Sequence, residues 1–520
     1  MRRWDQWLGS LLGRSDWDAA VTWASYCRSM LMFNYCMFVL VFLVLSFQDY
    51  LPLNPDTKKG LEPTLAFNTA ISFITNTNLQ HYSGEVSLSY FSQLSLMWLQ
   101  FVSAATGIAA LVALARAMAG AKSMGDFYRD VATASLLVLL PIATVVAICL
   151  ALSGVPMTLA GSVEATTMEG ATQTIARGPV AAFVAIKQLG TNGGGFFGPN
   201  SAHPLENPTF WTNIVSNICI LLIPMASVWM FGRIANRMSH AHVVFVVMLL
   251  MFVGLIGYAN YFEQQPTRAL ADLPVSVQAN LEGKELRFGM SAGPTWAVAT
   301  TATSNGSVNA MHDSLNPLTG LAPMIAMWLN VIFGGVGVGM LNMFLFIVLA
   351  VFLAGMMVGR TPEYLSRKIE AHEMKVALLT ILAHPLFILG GTALFAATSW
   401  GRESLNNPGS HGLSEIIYEF SSAAANNGSG FEGLGDNTPP WNIATGLVML
   451  FARFIPIIAP LAIAGSLSLK RATPESAGTF RTDSLMFGVI LLGTVLIVGA
   501  LLFLPLAVLG PIAEELQVPN

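Results

Sequence analysis

The sequence is poor in charge. Of its 520 residues, 10% are Asp, Glu, Lys or Arg and 54% are hydrophobic, whereas charged residues make up about 25% of an average soluble domain. Apolar runs of about 20 residues, long enough to cross a bilayer, recur along the whole chain. The net charge of −4 offers no basic footprint for nucleic acid. The composition therefore predicts an integral membrane protein that is in contact with lipid and binds no nucleic acid.

Cysteine is scarce as well, and motifs for ATP chemistry are missing. Cys27, Cys36, Cys149 and Cys219 lack any paired spacing, which predicts neither a disulfide framework nor a zinc site. The stretch GTNGGGFFGPN, residues 190–200, lacks the Lys and Ser or Thr that follow the glycines of a nucleotide-binding P-loop. The phosphorylation motif DKTG is also absent. We therefore predict no catalytic residues, and active transport would take its energy from another subunit or from an ion gradient.

Nine apolar segments are predicted to span the membrane. The sixth is too long for one straight crossing and contains FGGVGVG at residues 333–339, where glycines favour a bend or a break in the helix. The nine segments are residues 29–47, 89–115, 131–153, 209–231, 241–262, 320–358, 375–397, 441–464 and 485–510.

Basic residues are unevenly distributed between the loops. Of the 25 Lys and Arg residues, 16 fall in alternate loops that begin with the N-terminal segment, counting Lys375 at the start of the seventh segment. Another 8 fall in the other loops, and Arg453 lies within the eighth segment. The positive-inside rule then places the first group in the cytoplasm. The sequence thus predicts a cytoplasmic N-terminus and, after nine crossings, an extracytoplasmic C-terminus.

The loops on the predicted outer side resemble one another. They contain SFITNTNLQHYSGE, AIKQLGTNGGGFFGPN, TTATSNGSVNAMHDS and SSAAANNGSGFEGL. Counting from Asn78 to Gly194, Gly306 and Gly428 gives intervals of 116, 112 and 122 residues. This period predicts an all-α membrane fold of four units around a central pore, each a span, a re-entrant pore loop and a span, plus one extra helix. The predicted ranges are a cytoplasmic segment 1–28, repeats 29–118, 119–235, 236–365 and 366–470, and the extra helix with its tail 471–520.

Four such loops predict an ion site. Irregular backbone at membrane depth is tolerated where protein or water surrounds it, so we expect the loops to converge on one axis. Glycine lets carbonyl groups turn inward, and Thr and Asn add neutral oxygens, which together suit dehydrated K⁺. Carboxylates, which divalent-cation sites favour, occur only beyond the motif cores at Glu85, Glu206, Asp313 and Glu432, either as attractors of cations or as solvated rim charges. The candidate K⁺ ligands are Thr75, Asn76, Thr77, Asn78, Thr191, Asn192, Gly193, Gly194, Gly195, Thr303, Ser304, Asn305, Gly306, Asn426, Asn427 and Gly428.

Several long motifs resemble a known family. TNTNLQHYSGE, GTNGGGFFGPNSAHPLENPT, VIFGGVGVG and VGRTPEYLSRKIE are similar to the potassium-binding, channel-like A subunit of the bacterial Kdp potassium-transporting complex, from about Gln48 to Pro511. The resemblance implies a subunit of the superfamily of potassium transporters that selects external K⁺ at the bacterial inner membrane and needs no organic cofactor. It also implies three partners, which are a P-type ATPase subunit that hydrolyses ATP, a small C subunit and a tiny accessory subunit.

The resemblance assigns roles to further residues. It places Gln80 in the filter or its support, and it places Gly334, Gly335 and Gly337 in a break that blocks the direct route inward. The ion would then leave sideways toward the ATPase subunit. Arg360 falls at a position linked to the inner gate or tunnel, whereas the residues alone fit a membrane-surface anchor equally well.

Three differences from the family pattern stand out. The chain begins after the family's usual first helix, Leu329 and Asn330 replace a Gly-Glu pair, and Asn305 stands where a smaller or less polar residue is common. The alternative function is a stand-alone transporter of the Trk or Ktr type, driven by the membrane potential or a coupled ion.

Overall fold

A computed structural model describes residues 21–266, 280–359, 361–472 and 480–516. Within these residues, nine helices are long and apolar enough to cross a membrane, which confirms the predicted all-α, multi-pass class. The predicted gate residue Arg360 lies outside the described residues. The long helices are α1 (Trp23–Ser46), α3 (Tyr90–Met118), α4 (Phe127–Leu152), α6 (Phe210–Ile234), α7 (Met238–Glu263), α10 (Val338–Val358), α11 (Ala371–Ala397), α13 (Pro439–Leu469) and α14 (Leu485–Leu516).

Shorter elements lie between the long helices. Five are helices of ten or more residues, and two are small antiparallel hairpins whose strands pair Val163 with Ile175 and Glu363 with Lys368. The short helices are α2 (Pro63–Ile74), α5 (Val180–Leu189), α8 (Ala292–Ala302), α9 (Pro317–Leu329) and α12 (Gly409–Ala425), and the strands are β1 (Val163–Thr166), β2 (Thr172–Ile175), β3 (Glu363–Tyr364) and β4 (Arg367–Lys368).

Hydroxyl side chains fix where several long helices begin. The side chain of Ser89 accepts a hydrogen bond from the backbone N–H of Ser92 at the start of α3, and Ser484 does the same for Phe487 at the start of α14. Thr209 and Thr212 form a reciprocal capping box before α6. These caps satisfy backbone donors that a helix start leaves without partners, and they set the length of each span.

The order of long and short helices repeats along the chain. Three units consist of a long, a short and a long helix, namely α1–α3, α4–α6 and α11–α13. In the third unit, α7 and α8 are followed by a second span that is divided into α9 and α10. The interruption covers residues 330–337, as the glycine-rich motif predicted, and α14 follows the fourth unit. Helix α1 begins at Trp23, before the predicted residue 29, and the six sequence ranges given above remain predictions.

The divided span, the short helices and α3 form much of the interior of the molecule. In the apolar stretch of α10, 89% of the residues are buried, compared with 22% in α1 and in α4. Helix α10 therefore lies inside the bundle, while α1 and α4 face outward. In α8, every residue from Trp296 to Ala302 is buried. Four polar segments that follow short helices therefore meet in the protein interior, where lipid cannot reach them.

Candidate functional site

Four loops that follow short helices come together in the interior. They are residues 75–78 after α2, 190–193 after α5, 303–306 after α8 and 426–428 after α12, and we call them the four-loop cluster. Each of these helices has its C-terminus at the cluster. Because a helix C-terminus carries a partial negative charge equivalent to roughly −0.5 elementary charge, the four ends together favour a cation.

The four loops share one backbone conformation. In each, a residue with positive φ is followed by a middle residue and then by a second residue with positive φ. The middle residues are Thr77, Asn192, Asn305 and Asn427. The flanking pairs are Asn76 and Asn78, Thr191 and Gly193, Ser304 and Gly306, and Asn426 and Gly428.

The shared conformation corrects the repeat spacing. By backbone geometry, Gly193 corresponds to Gly306 and Gly428, whereas the sequence intervals aligned Gly194 with them. Gly194 has a different task, because a Cβ atom built on it would lie 2.9 Å from Cβ of Asn78. The second glycine of the triplet thus makes room for a side chain of the first loop.

Backbone hydrogen bonds are also repeated. Each middle residue donates its N–H to the carbonyl oxygen five residues earlier in the preceding short helix, which holds the loop against the helix end. The four bonds are Thr77 to Ser72 at 2.9 Å, Asn192 to Lys187 at 2.9 Å, Asn305 to Thr300 at 2.7 Å and Asn427 to Ser422 at 2.9 Å.

Contacts between the loops follow a closed order. A Cβ atom on Gly193 would lie 2.0 Å from the carbonyl oxygen of Asn305, and one on Gly306 would lie 2.1 Å from that of Asn427. A Cβ atom on Gly428 would likewise lie 2.0 Å from the carbonyl oxygen of Thr77. With the four loops numbered in chain order, loop 2 therefore contacts loop 3, loop 3 contacts loop 4 and loop 4 contacts loop 1. The pair Asn78 and Gly194 closes the ring between loops 1 and 2.

The carbonyl groups of the middle residues receive no hydrogen bond from the described residues. Nothing in the described part of the chain donates an N–H or O–H to the carbonyl oxygens of Thr77, Asn192, Asn305 and Asn427, although all four residues are 0% exposed. Buried carbonyl groups without partners are costly and rare. Four of them at equivalent places in a ring are suited to coordinate a dehydrated cation.

Asparagine side chains connect neighbouring loops instead of pointing freely to the axis. Asn305 donates its amide to the carbonyl oxygen of Lys187 at 3.1 Å, and Asn427 donates to that of Thr300 at 2.9 Å. Asn192 donates to Oδ1 of Asn76 at 2.6 Å. These bonds hold the three middle asparagines to the preceding unit. The polar Asn305 side chain therefore belongs to the support of the ring.

Gln80 and Gly195 connect the first and second loops beyond the ring. The Gln80 amide donates to the carbonyl oxygen of Gly195 at 3.0 Å, and the N–H of Gly195 donates to Oε1 of Gln80 at 2.6 Å. This reciprocal pair places both predicted residues in a supporting position. Thr75 and Thr303 likewise donate back to helix carbonyls, of Ile71 and Ala299, at 2.8 Å each.

A buried ion pair lies behind the second loop, and the sequence did not predict it. Lys187 and Glu206 are both fully buried and form a salt bridge. Lys187 also donates to Oδ1 of Asn200 at 2.6 Å, and Asn200 donates to the carbonyl oxygen of Gly193 at 2.7 Å. Glu206 is thus part of the loop's support and is not a rim charge. A lysine inside a short apolar helix was the signal that could have revealed this pair.

His81 connects the first loop to the fourth unit. Its Nδ1 lies 2.6 Å from Oδ1 of Asn442, and its Nε2 lies 3.2 Å from Oε1 of Glu419 and 3.7 Å from Oδ2 of Asp436. Burial alone would lower the pKa of His81, but the carboxylates of Asp436 and Glu419 raise that pKa from 6.5 to about 9. A charged imidazole therefore joins two units one residue beyond Gln80.

The interruption of the third unit contacts the second and third loops of the cluster. The N–H of Val336 donates to Oγ1 of Thr191 at 3.0 Å, and Ser304 donates to Oδ1 of Asn330 at 3.1 Å. A Cβ atom on Gly335 would lie 3.6 Å from Cβ of Ser304 and 3.9 Å from a guanidinium nitrogen of Arg453. Gly335 is therefore surrounded by loops 2 and 3 and by α13, next to the ring.

The other glycines of this interruption allow tight contacts. Gly334 and Gly337 have φ values of 55° and 78°. A Cβ atom on Gly337 would lie 2.2 Å from the carbonyl oxygen of Gly107 in α3, and the Arg453 guanidinium donates to the carbonyl oxygen of Ser103 in the same helix at 3.3 Å. Residues 330–337 are thus held against α3 and the cluster.

Comparisons with known proteins agree with this architecture. Residues 1–516 match the family described as "KdpA: Potassium-transporting ATPase A subunit". A potassium-transporting ATPase potassium-binding subunit from Geobacillus kaustophilus (strain HTA426) is 49% identical over 501 residues, which cover 96% of this chain and 90% of the relative. The crystal structure of the potassium transporter TrkH from Vibrio parahaemolyticus aligns with a TM-score of 0.53 at 14% identity, over 82% of this chain and 84% of TrkH. At 14% identity, the likeness to TrkH concerns the fold alone.

Proposed function

The chain belongs to the potassium-transporting ATPase A subunit family, and on that premise we propose that the four-loop cluster is its K⁺ selectivity filter. In this proposal the protein binds extracytoplasmic K⁺ and passes it into the cell as the translocation subunit of an ATP-driven uptake complex. ATP hydrolysis takes place on a separate P-type ATPase subunit, and a small C subunit and a tiny accessory subunit complete the complex.

One observation carries the proposal. The buried carbonyl oxygens of Thr77, Asn192, Asn305 and Asn427 occupy equivalent positions in a ring and receive no hydrogen bond from the described residues. Carbonyl oxygens in such a ring can replace the hydration shell of K⁺. The ring itself contains no carboxylate, so it suits a monovalent cation better than Ca²⁺, which favours carboxylates.

The exit path is the second part of the proposal. In this proposal residues 330–337, which contact Thr191 and Ser304 of the cluster, block the straight route from the ring to the cytoplasm. A cavity of about 50 Å³ adjoins this segment and is lined in part by Asn330, Asn342 and His384. In the proposal, the sideways exit toward the ATPase subunit begins at this cavity, whose remaining lining is mostly apolar. The location in the bacterial inner membrane, with a cytoplasmic N-terminus and an extracytoplasmic C-terminus, belongs to the same proposal.

Reconstitution tests the proposal against a stand-alone transporter. The purified chain is placed in liposomes alone or with its ATPase, C and accessory subunits, and rubidium uptake is followed with and without ATP. We expect uptake only from the full complex with ATP, while the chain alone still binds K⁺ in a titration. Full-rate uptake by the chain alone would favour a transporter of the Trk or Ktr type, and absence of K⁺ binding would refute the filter assignment.

A further inference from the structure

A second polar cluster lies away from the four-loop cluster, where the third and fourth units meet. Asp313 belongs to the loop between α8 and α9, and His411 and Glu415 stand one turn apart on α12, so they share a face of that helix. One oxygen or nitrogen from each of the three side chains lies within 4.8 Å of the others. We propose that these residues bind a divalent transition-metal ion of the Zn²⁺ class.

Two carboxylates converge at this place, and no lysine or arginine of the described residues pairs with them. A Cβ atom built on Gly433 would lie 2.6 Å from Oδ2 of Asp313 and 2.7 Å from Oε1 of Glu415. Among the described residues, no Lys or Arg is within ion-pair distance of either carboxylate, and Asp313 pairs with His411 alone. The two carboxylates have oxygens within 4.8 Å of each other. Because like charges at this distance repel, a bound cation would stabilise the pair.

Glu415 also offers a free ligand atom. The residue is 0% exposed, and its Oε2 has no hydrogen-bond partner among the described residues. Its other oxygen accepts a hydrogen bond from the side-chain amide of Asn407 at 2.8 Å. A buried carboxylate oxygen without a partner is expensive, and coordination to a metal would satisfy it.

The histidine is oriented as in many metal sites. Nε2 of His411 lies 2.9 Å from Oδ1 of Asp313, and Nδ1 lies 2.7 Å from Oε1 of Glu514 at the end of α14. A carboxylate on one ring nitrogen commonly fixes a histidine whose other nitrogen binds metal. With Glu514 in that outer position, Nε2 of His411 and the carboxylates of Asp313 and Glu415 form a three-ligand set of the kind that Zn²⁺ accepts.

An entry path leads to the cluster. Asp313, Asn407, His411 and Glu514 line a cavity of about 710 Å³, and the side chains of His411 and Glu514 are 23% and 20% exposed. A hydrated ion can therefore approach from the side on which α12 begins. Binding would connect the third unit, the fourth unit and the end of α14 through one ion.

Metal titration of the full chain in detergent tests the site. After treatment with a chelator, Zn²⁺ is titrated in competition with a chromophoric chelator, and Co²⁺ is titrated while its visible absorption is recorded. We expect one saturable site and a Co²⁺ spectrum typical of nitrogen and oxygen ligands at low coordination number. Substitution His411→Gln should weaken binding by more than about 100-fold, and Glu514→Ala by about 10- to 100-fold.

His372→Gln is the matched control, because His372 is exposed at the start of α11 and should leave binding unchanged. Asp313→Asn provides a second ligand variant if His411→Gln does not fold, as judged by gel filtration. Equal Zn²⁺ binding by the wild type and a folded ligand variant would overturn the proposal. Equal competition by Ca²⁺ would overturn the assignment to the Zn²⁺ class. Neither readout depends on K⁺ transport.

Discussion

At the scale of single residues, asparagine has two different roles in the cluster. Asn76, Asn78 and Asn426 have positive φ values between 51° and 63°, a conformation that asparagine accepts more readily than most side chains. Asn305 and Asn427 use their amides to hold a preceding unit. Glycine takes over only where a neighbouring loop leaves no room for Cβ, as at Gly306.

The Gly306→Ala variant tests the close contact between loops 3 and 4. Its Cβ atom would lie 2.1 Å from the carbonyl oxygen of Asn427, and the positive φ of 94° adds strain of about 1–3 kcal/mol. We expect K⁺ affinity to fall by roughly 5- to 100-fold, measured by titration of the purified chain. Gly254→Ala is the control, because nothing lies within 4 Å of a Cβ atom there. Unchanged affinity in Gly306→Ala would contradict the ring.

The charge of His81 predicts a pH dependence of stability. Its pKa is raised from 6.5 to about 9 by Asp436 and Glu419 despite the opposing effect of burial. A raised pKa means that the stabilising contribution is complete below about pH 6.5 and is lost as the pH rises through about 9. The thermal unfolding midpoint should therefore decrease over this interval. In His81→Gln the decrease should be smaller, and identical profiles for both proteins would exclude this role.

At the scale of elements, the short helices and the divided span do most to position the site. Helices α2, α5, α8 and α12 each end at the cluster, so their negative ends and the loops that follow are brought to one place. The sequence predicted the re-entrant segments from their polar ends and predicted the break from FGGVGVG. It did not predict that the N–H of Val336 donates a hydrogen bond to Thr191, because these two residues belong to different units and are 145 positions apart.

The Gly337→Ala variant tests whether residues 330–337 act as a barrier. Its Cβ atom would lie 2.2 Å from the carbonyl oxygen of Gly107, which should displace the segment from α3. We expect passive rubidium leak through the complex in liposomes to increase at least severalfold without ATP. Gly390→Ala in α11, where nothing lies within 4 Å of the added Cβ atom, should not leak. A tight Gly337→Ala complex would argue against a barrier at this segment.

At the scale of the whole molecule, one chain supplies four non-identical units to a single ring. The units differ in what they contribute: the second has the buried pair of Lys187 and Glu206, the third has the divided span, and the first has Asn78 in place of glycine. A ring made of four identical chains has the same surroundings on every side. In the proposed function, the fused chain permits a filter in the centre, one barrier next to it and an exit on one side.

Membrane orientation is tested by cysteine labelling from outside. In a chain without its four native cysteines, Met168→Cys places a thiol on the exposed hairpin between α4 and α5, and Ser239→Cys places one at the exposed start of α7. We expect an impermeant maleimide added to intact cells to label residue 168 at once and residue 239 only after permeabilisation. The reverse pattern would invert the proposed topology.

The sequence by itself determined the class of the molecule, the number of spans, the four loop motifs and the position of the break. These follow from local composition, since hydropathy, glycine and small polar residues act over a few neighbouring positions. Only the tertiary structure decided that Gly193 and not Gly194 is the equivalent of Gly306, that Glu206 is paired with Lys187, and that Asp313 meets His411. Each of these depends on contacts between segments or on backbone angles that residue spacing does not specify.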